Sequence, residues 1–389
     1  MKRVFYFAPV STDALNLRFG QKLEVGAQAN KVLGVCGALK AADIFPIVVS
    51  GLISSPIWSV FDGTKHFRTS GVCFSKLFVT GQGVVKRGVA SIAYIVYAIR
   101  YVRSDDQVIL YNYFPEYIPA ALYLRIFRKA AVLDLEDAPR SDEPGLRGWG
   151  NRVIFPIVFW LCSKSYLTVS RQLGEQLGLR RCLAVYGVSS FFDNNDHSDK
   201  FKSEEVKILF GGSIVLETGL ELFQAAVGLL LDSEPQIPLH FFITGNFPND
   251  EMQKLAAKVA STSRMRISVF SNLPTKEYRK LAEEADVGLC LKLPSTSIGQ
   301  TTFPSKVIEF AALGMLVLST SVSDVPVIFD DESALLLTSE DPKELAAALS
   351  EVSRNRGKAA ERARNGRQLV LDRFSKSAVG KEIVEFLNG

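Results

Sequence analysis

The chain has 389 residues, 47% hydrophobic and 22% charged, a balance that excludes a disordered polypeptide and accommodates two domains of ordinary size. Its formal net charge of +4 is unevenly spread: residues 1–200 carry 24 Lys and Arg against 16 Asp and Glu, and the remainder is net acidic. A basic half suits an anionic membrane surface or a phosphorylated acceptor; nucleic acid is set aside because the basic residues are dispersed and no recognition module is present. Cys36, Cys73, Cys162, Cys182 and Cys290 show no CxxC spacing, and His66, His197 and His240 have no ligand neighbours, so a reducing, cytoplasmic setting without a metal site is expected. The opening MKRVFYFAPV turns polar by Ser11 and reads as a strand rather than a signal peptide, and no apolar run is long enough to span a bilayer.

In chain order, buried strands are expected at Val4–Pro9, Phe45–Ser50, Gln107–Tyr111 and Ala131–Leu135. Helices are expected between them at Asn30–Ala42, Val89–Arg103 and Tyr117–Phe127. The second half repeats the theme. Strands fall at Val206–Phe210, Leu239–Thr244, Ile267–Phe270, Val287–Leu291 and Leu316–Ser319, and helices at Gly219–Leu231, Asp250–Ser261, Thr275–Ala285 and Pro304–Leu313. Alternation of short β-branched runs with helical ones implies two parallel sheets covered on both faces, hence an α/β chain of two doubly wound, Rossmann-like units. The polar, aperiodic stretch FDNNDHSDKFKSEE at 192–205 reads as a linker between domains at 1–195 and 206–375. A last helix at 376–389 is placed to cross back onto the first domain.

Chemistry concentrates at TTFPSKVIEFAALGMLVLST, residues 301–320. Pro304 suits a first helical turn, which would leave the backbone amides of Ser305, Lys306 and Val307 free at an electropositive end. Lys306 adds a point charge there, and Glu309 lies one turn along the same face, where a carboxylate can accept both ribose hydroxyls. A nucleoside diphosphate fits that pair; a solvated Lys–Glu pair on an ordinary amphipathic helix fits it too. VKILFGGSIVLETGLELFQAA, from Val206, runs a strand into Gly211 and Gly212, where backbone can approach a phosphate, or where the chain simply turns tightly.

Residues 301–320 resemble the donor segment of retaining GT-B glycosyltransferases of the glycogen-synthase-like group, with Pro304, Ser305, Lys306, Glu309, Ala312, Gly314, Val317 and Thr320 in register. The resemblance covers most of 206–387. It implies a GT-B fold, two Rossmann-like domains facing across a cleft. It also implies transfer of a sugar, with retention, from a nucleoside-diphosphate sugar used as co-substrate, with no other cofactor and no metal. The implied donor contacts are Gly211, Gly212, Ser213, Gly245, Asn272, Leu273, Thr301, Pro304, Ser305 and Val307, beside Lys306 and Glu309. Where such proteins carry Arg and Lys for the diphosphate, this chain has Ser213 and Thr218; where many carry a further Glu, it has Thr301. On the acceptor side, LDLEDAP puts Glu136 and Asp137 after a strand, with Asp137 preferred as contact or base, and LEVGAQAN offers Gly26 and Asn30, otherwise a plain loop and helix cap.

LYLRIFRKAAV (122–132) and RVIFPIVFWLCSKSY (152–166) mix basic and aromatic residues as an interfacial surface does, although the second is apolar enough to be a buried helix. A glycan or lipid-linked acceptor and a peripheral position on the inner face of the membrane, in surface polysaccharide synthesis, follow as expectations. The rival readings are a non-catalytic partner in an assembly complex and a sugar-nucleotide epimerase.

Overall fold

A computed structural model describes residues 2–12, 27–51, 65–69, 72–77, 83–136, 146–188, 199–271, 273–296, 299–300 and 302–389. The chain divides into two compact units, one of Met1–Val188 with Ser375–Gly389 and one of Ser189–Phe374.

The first unit is built on β1 (Arg3–Phe7), β2 (Phe45–Ser50), β3 (Lys65–Thr69), β4 (Val72–Lys76), β5 (Gln107–Tyr111), β6 (Val132–Leu135), β7 (Tyr166–Thr168) and β8 (Cys182–Ala184). Their order is β3-β4-β2-β1-β5-β6-β7-β8, parallel except for the β3–β4 hairpin. Beyond their first residues, Arg3 and Gln107, strands β1 and β5 are apolar and buried because helices cover both faces, so they lack the alternation of a half-exposed sheet. The chain winds outward from β1 to β2 and then returns to β5, which puts the switch of direction between β1 and β5. Helix Ala27–Ala41 is capped by the last helix, Lys376–Asn388. Those two approach so closely that a Cβ on Gly380 would lie 2.0 Å from the Ala38 carbonyl.

The second unit carries β9 (Val206–Ser213), β10 (Leu239–Asn246), β11 (Arg266–Ser271), β12 (Val287–Cys290), β13 (Leu316–Thr320) and β14 (Leu335–Leu337) in the order β11-β10-β9-β12-β13-β14. All are parallel. Its core joins Ile208 and Phe210 to Phe223 and Val227 of helix Leu220–Ser233, and to Phe241, Leu289 and Leu318 of neighbouring strands. Here the switch falls between β9 and β12.

Several expectations need correction. The helix expected from Val89 begins at Gly83; Gly83 and Gly88 obscure its first turns in the sequence but are tolerated at modest cost. Asn30 does not cap its helix; it is the fourth residue of Ala27–Ala41 and exposed. The run 152–166 is not a buried helix. Helix Leu146–Leu161 buries Val158 and Leu161 but exposes Val153, Ile157 and Trp160.

Candidate active site

At the switch of the second sheet, β9 ends in Gly211-Gly212-Ser213, in register with Thr244-Gly245-Asn246 of β10. Gly212 (φ 113°) and Gly245 (φ 116°) occupy backbone conformations that disfavour any Cβ. A Cβ on Gly245 would stand 2.1 Å from the Gly212 carbonyl, so the two strands meet backbone to backbone. A Cβ on Gly212 would stand 3.0 Å from Lys306 Cε. The bare strand end is therefore the bed on which the Lys306 side chain lies.

Lys306 opens the helix Lys306–Ala312, and its Nζ donates to the Tyr278 hydroxyl at 3.1 Å. The same ammonium sits 4.9 Å from the Tyr278 ring centroid and 5.8 Å from that of Phe310. Burial pulls the Lys306 ammonium downward, but the Tyr278 phenol and the Glu309 carboxylate outweigh it, and the group titrates above the usual lysine range. It is a cation at neutral pH. Glu309, one turn on, is partly buried; burial raises its carboxyl above the ordinary range while Lys306 opposes the shift. Among the described residues, no donor is recorded on the Glu309 carboxylate and no ion pair on Lys306. Tyr278, from helix Thr275–Glu284, has its hydroxyl pushed up by burial, with Lys306 pulling back.

Helix Lys306–Ala312 starts later than expected. Pro304 precedes the cap residue Ser305, and two of the three amides expected to be free are engaged: Ser305 donates to the Phe303 carbonyl and Val307 to that of Pro304, both at 3.0 Å. The anion-binding capacity of this end therefore rests on the Lys306 side chain more than on backbone. Ser213 is exposed. Thr218 is turned inward, its hydroxyl donating to the Ser213 carbonyl at 2.6 Å and accepting from the Val215 amide at 2.9 Å. Leu273 lies just past β11, two strands from β9. Asn272 and Thr301 lie outside the described residues.

The loop after β12 closes against this turn. A Cβ on Gly219 would be 2.4 Å from the Leu291 carbonyl, and the Leu293 amide donates to the Glu217 carbonyl at 2.9 Å. Between those contacts stands Lys292, which sequence reasoning passed over. Its Nζ donates to Thr302 Oγ1 at 2.5 Å. Burial drives the Cys290 thiol up to about 12, with Lys306 and then Lys292 pulling the other way, so both cations lie near the end of β12. Tyr278 was missed as well; the signal available was an aromatic hydroxyl on the helix that follows β11. Among the described residues no cluster of His, Cys, Asp or Glu suits a metal ion.

In the first unit, Glu136 follows β6, where it accepts from the Tyr111 hydroxyl and its amide donates to Asn112 Oδ1 at 2.9 Å. Asp137 and Gly26 lie outside the described residues. The buried charge here is one the sequence did not single out. Asp134, within β6, pairs with Lys31 Nζ at 2.8 Å and accepts from the Tyr6 hydroxyl.

Residues 205–355 match the glycosyl transferases group 1 family. Among solved structures, sucrose-phosphate synthase from Thermosynechococcus elongatus is similar over 100% of this chain and 98% of its own, with TM-score 0.69 and 14% identity. A glycosyltransferase from Rickettsia africae is similar over 99% and 97%, with TM-score 0.66 and 14% identity. Anabaena HepE, solved with UDP and glucose, is similar over 100% of both chains, with TM-score 0.67 and 13% identity. Among curated proteins no sequence matches the chain.

Proposed function

We propose that this chain, a glycosyltransferase of GT-B fold with a group 1 glycosyl transferase domain in residues 205–355, moves a sugar with retention from a nucleoside-diphosphate donor to an acceptor hydroxyl. The acceptor we favour is a glycan or lipid-linked glycan of surface polysaccharide synthesis. The observation that carries the donor reading is the Lys306 ammonium laid against Gly212 at the β9/β12 switch, with the Glu309 carboxylate one turn away.

Each residue has a task that follows from its surroundings. As the bond to the sugar breaks, negative charge grows on the leaving diphosphate, and a fixed, partly desolvated cation stabilises that charge more than it stabilises the bound donor. Lys306 is such a cation, held by Tyr278. Lys292 supplies a second positive charge from the opposite loop, where Ser213 and Thr218 leave the first loop without a cation. Gly211 and Gly212 let the phosphates approach the strand end without a side chain between. The Glu309 carboxylate accepts hydrogen bonds from the ribose hydroxyls. Anabaena HepE, solved with UDP and glucose, makes a uridine nucleotide the first donor to try.

The test is incubation of the purified protein with UDP-, GDP-, ADP- and TDP-sugars and lipid-linked acceptors, with the anomeric configuration of the product read by NMR. A product of unchanged configuration supports the reading. Donor binding without transfer to any acceptor favours the non-catalytic partner, and an inverted product overturns retention.

A further inference from the structure

Three helices of the first unit, Gly83–Tyr101, Ile118–Phe127 and Leu146–Leu161, pack side by side on one face of the β1–β8 sheet. The first is turned against normal expectation. Tyr94 and Tyr97 face the core, where Tyr97 donates to Ser75 Oγ at 2.7 Å and Tyr94 packs against Phe7 with tilted rings, while Ile92, Val96 and Ile99 point outward. Ile92 is 64% exposed. The second helix exposes Ile126 and Phe127, each at 61%, and the third Ile157 and Trp160, the latter at 63%. Ten of the twelve large apolar side chains that are exposed among the described residues lie on these three helices. Scattered apolar residues are ordinary on a protein surface; a contiguous field of them is not.

The exposed charge of this region is mostly of one sign. Among the described residues between 83 and 166, eight exposed side chains are basic and one, Asp105, is acidic. Arg125 lies 4.6 Å from the Trp160 ring centroid, which joins the second and third helices through a cation on an indole. Arg128 and Lys129 follow the exposed Phe127 directly. No described helix is long and apolar enough to cross a membrane. Exposed apolar side chains interspersed with Arg and Lys, with Trp160 against Arg125, match a bilayer interface, where apolar groups enter the acyl boundary and cations meet anionic headgroups. A second copy of this chain would bring the same basic residues against one another.

We propose that the outer face of these three helices docks the protein on an anionic lipid bilayer. This does not depend on the donor reading. Each basic residue near such a surface contributes severalfold to binding, and the apolar residues add a salt-insensitive part. The experiment is flotation of the full chain with vesicles of phosphatidylglycerol and phosphatidylethanolamine, and with vesicles of phosphatidylcholine alone. The protein should float with the anionic vesicles and only weakly with the neutral ones, and high salt should weaken but not abolish the association. Lys129→Glu with Lys164→Glu, both exposed, should lower anionic binding about tenfold or more. Ile92→Ser with Trp160→Ser should lower the part that survives salt, with the melting temperature retained. Absence of binding to anionic vesicles, or binding that neither double variant changes, overturns the proposal. So does a wild-type dimer that the apolar variant converts to monomer while no vesicle binding is seen, an outcome that assigns the face to a second copy.

Discussion

Each unit places a lysine near the carboxyl ends of its parallel strands, but the two lysines live in opposite circumstances. Lys31 is locked. Its side chain is 8% exposed and its ammonium meets Asp134 at 2.8 Å, and Asp134 takes a further hydrogen bond from Tyr6, whose hydroxyl burial and that carboxylate push far above its usual range. Lys306 has a tyrosine instead of a carboxylate as its hydrogen-bond partner, glycine beneath it, the Glu309 carboxylate one turn away and, among the described residues, no ion pair. A buried charge whose partners are complete holds structure together; a cation held in place yet short of counter-charge is prepared for an anion that comes and goes.

The largest effect expected from that contrast falls on stability. Asp134→Asn leaves the Lys31 charge buried without its counter-ion and should lower stability by about 3–5 kcal/mol, measured by denaturant unfolding, with nucleotide binding to the second unit preserved. A mild change would mean that water reaches Lys31. Lys306→Ala should do the reverse, reducing turnover by about 100- to 1000-fold with the unfolding transition unchanged. Equal damage to stability and turnover by both variants would erase the distinction between the two lysines.

Gly212→Ala tests the bed on which Lys306 lies. The strained φ and a Cβ 3.0 Å from Lys306 Cε should move the ammonium and lower kcat by about tenfold, more than the small loss of stability explains. The subtlest change is Tyr278→Phe. It keeps the ring under the cation but removes the hydroxyl that helps hold Lys306 charged, so the alkaline limb of kcat/KM should move to lower pH. At the acid end, donor binding should fail at a higher pH than an ordinary carboxylate would allow. Burial raises Glu309, and its protonation on the way down in pH removes the ribose acceptor.

The strands and the Lys306–Glu309 segment were legible because both are local. Runs such as VKILF and LVLST announce buried parallel strands by uniform apolarity, and helical spacing puts Glu309 one turn after Lys306. The partners of Lys306 were not legible, since Tyr278 and Lys292 reach it or its neighbourhood from separate loops and helices that only the sheet brings together. Asp134 sits inside VLDL, where pattern reading sees a strand and not a charge. The engaged amides of Ser305 and Val307 depend on where the helix starts, a matter of one or two residues that sequence rarely resolves. Helix Gly83–Tyr101 misleads in another way. Its Tyr94 and Tyr97 satisfy their hydroxyls within the core, which frees its isoleucines to face outward, and hydropathy alone cannot assign those faces.

The central claim, that Lys306 and Glu309 hold a nucleoside diphosphate, is tested most directly by thermal unfolding with UDP, GDP, ADP and TDP, for the wild type and for Glu309→Ala and Lys306→Ala. A ligand at about 100 times its Kd adds about 2.7 kcal/mol to the folded state. The account predicts that one nucleotide raises the wild-type melting temperature and that both variants, folded as before, lose the rise. A rise that survives both substitutions, or no rise with any nucleotide, would contradict it.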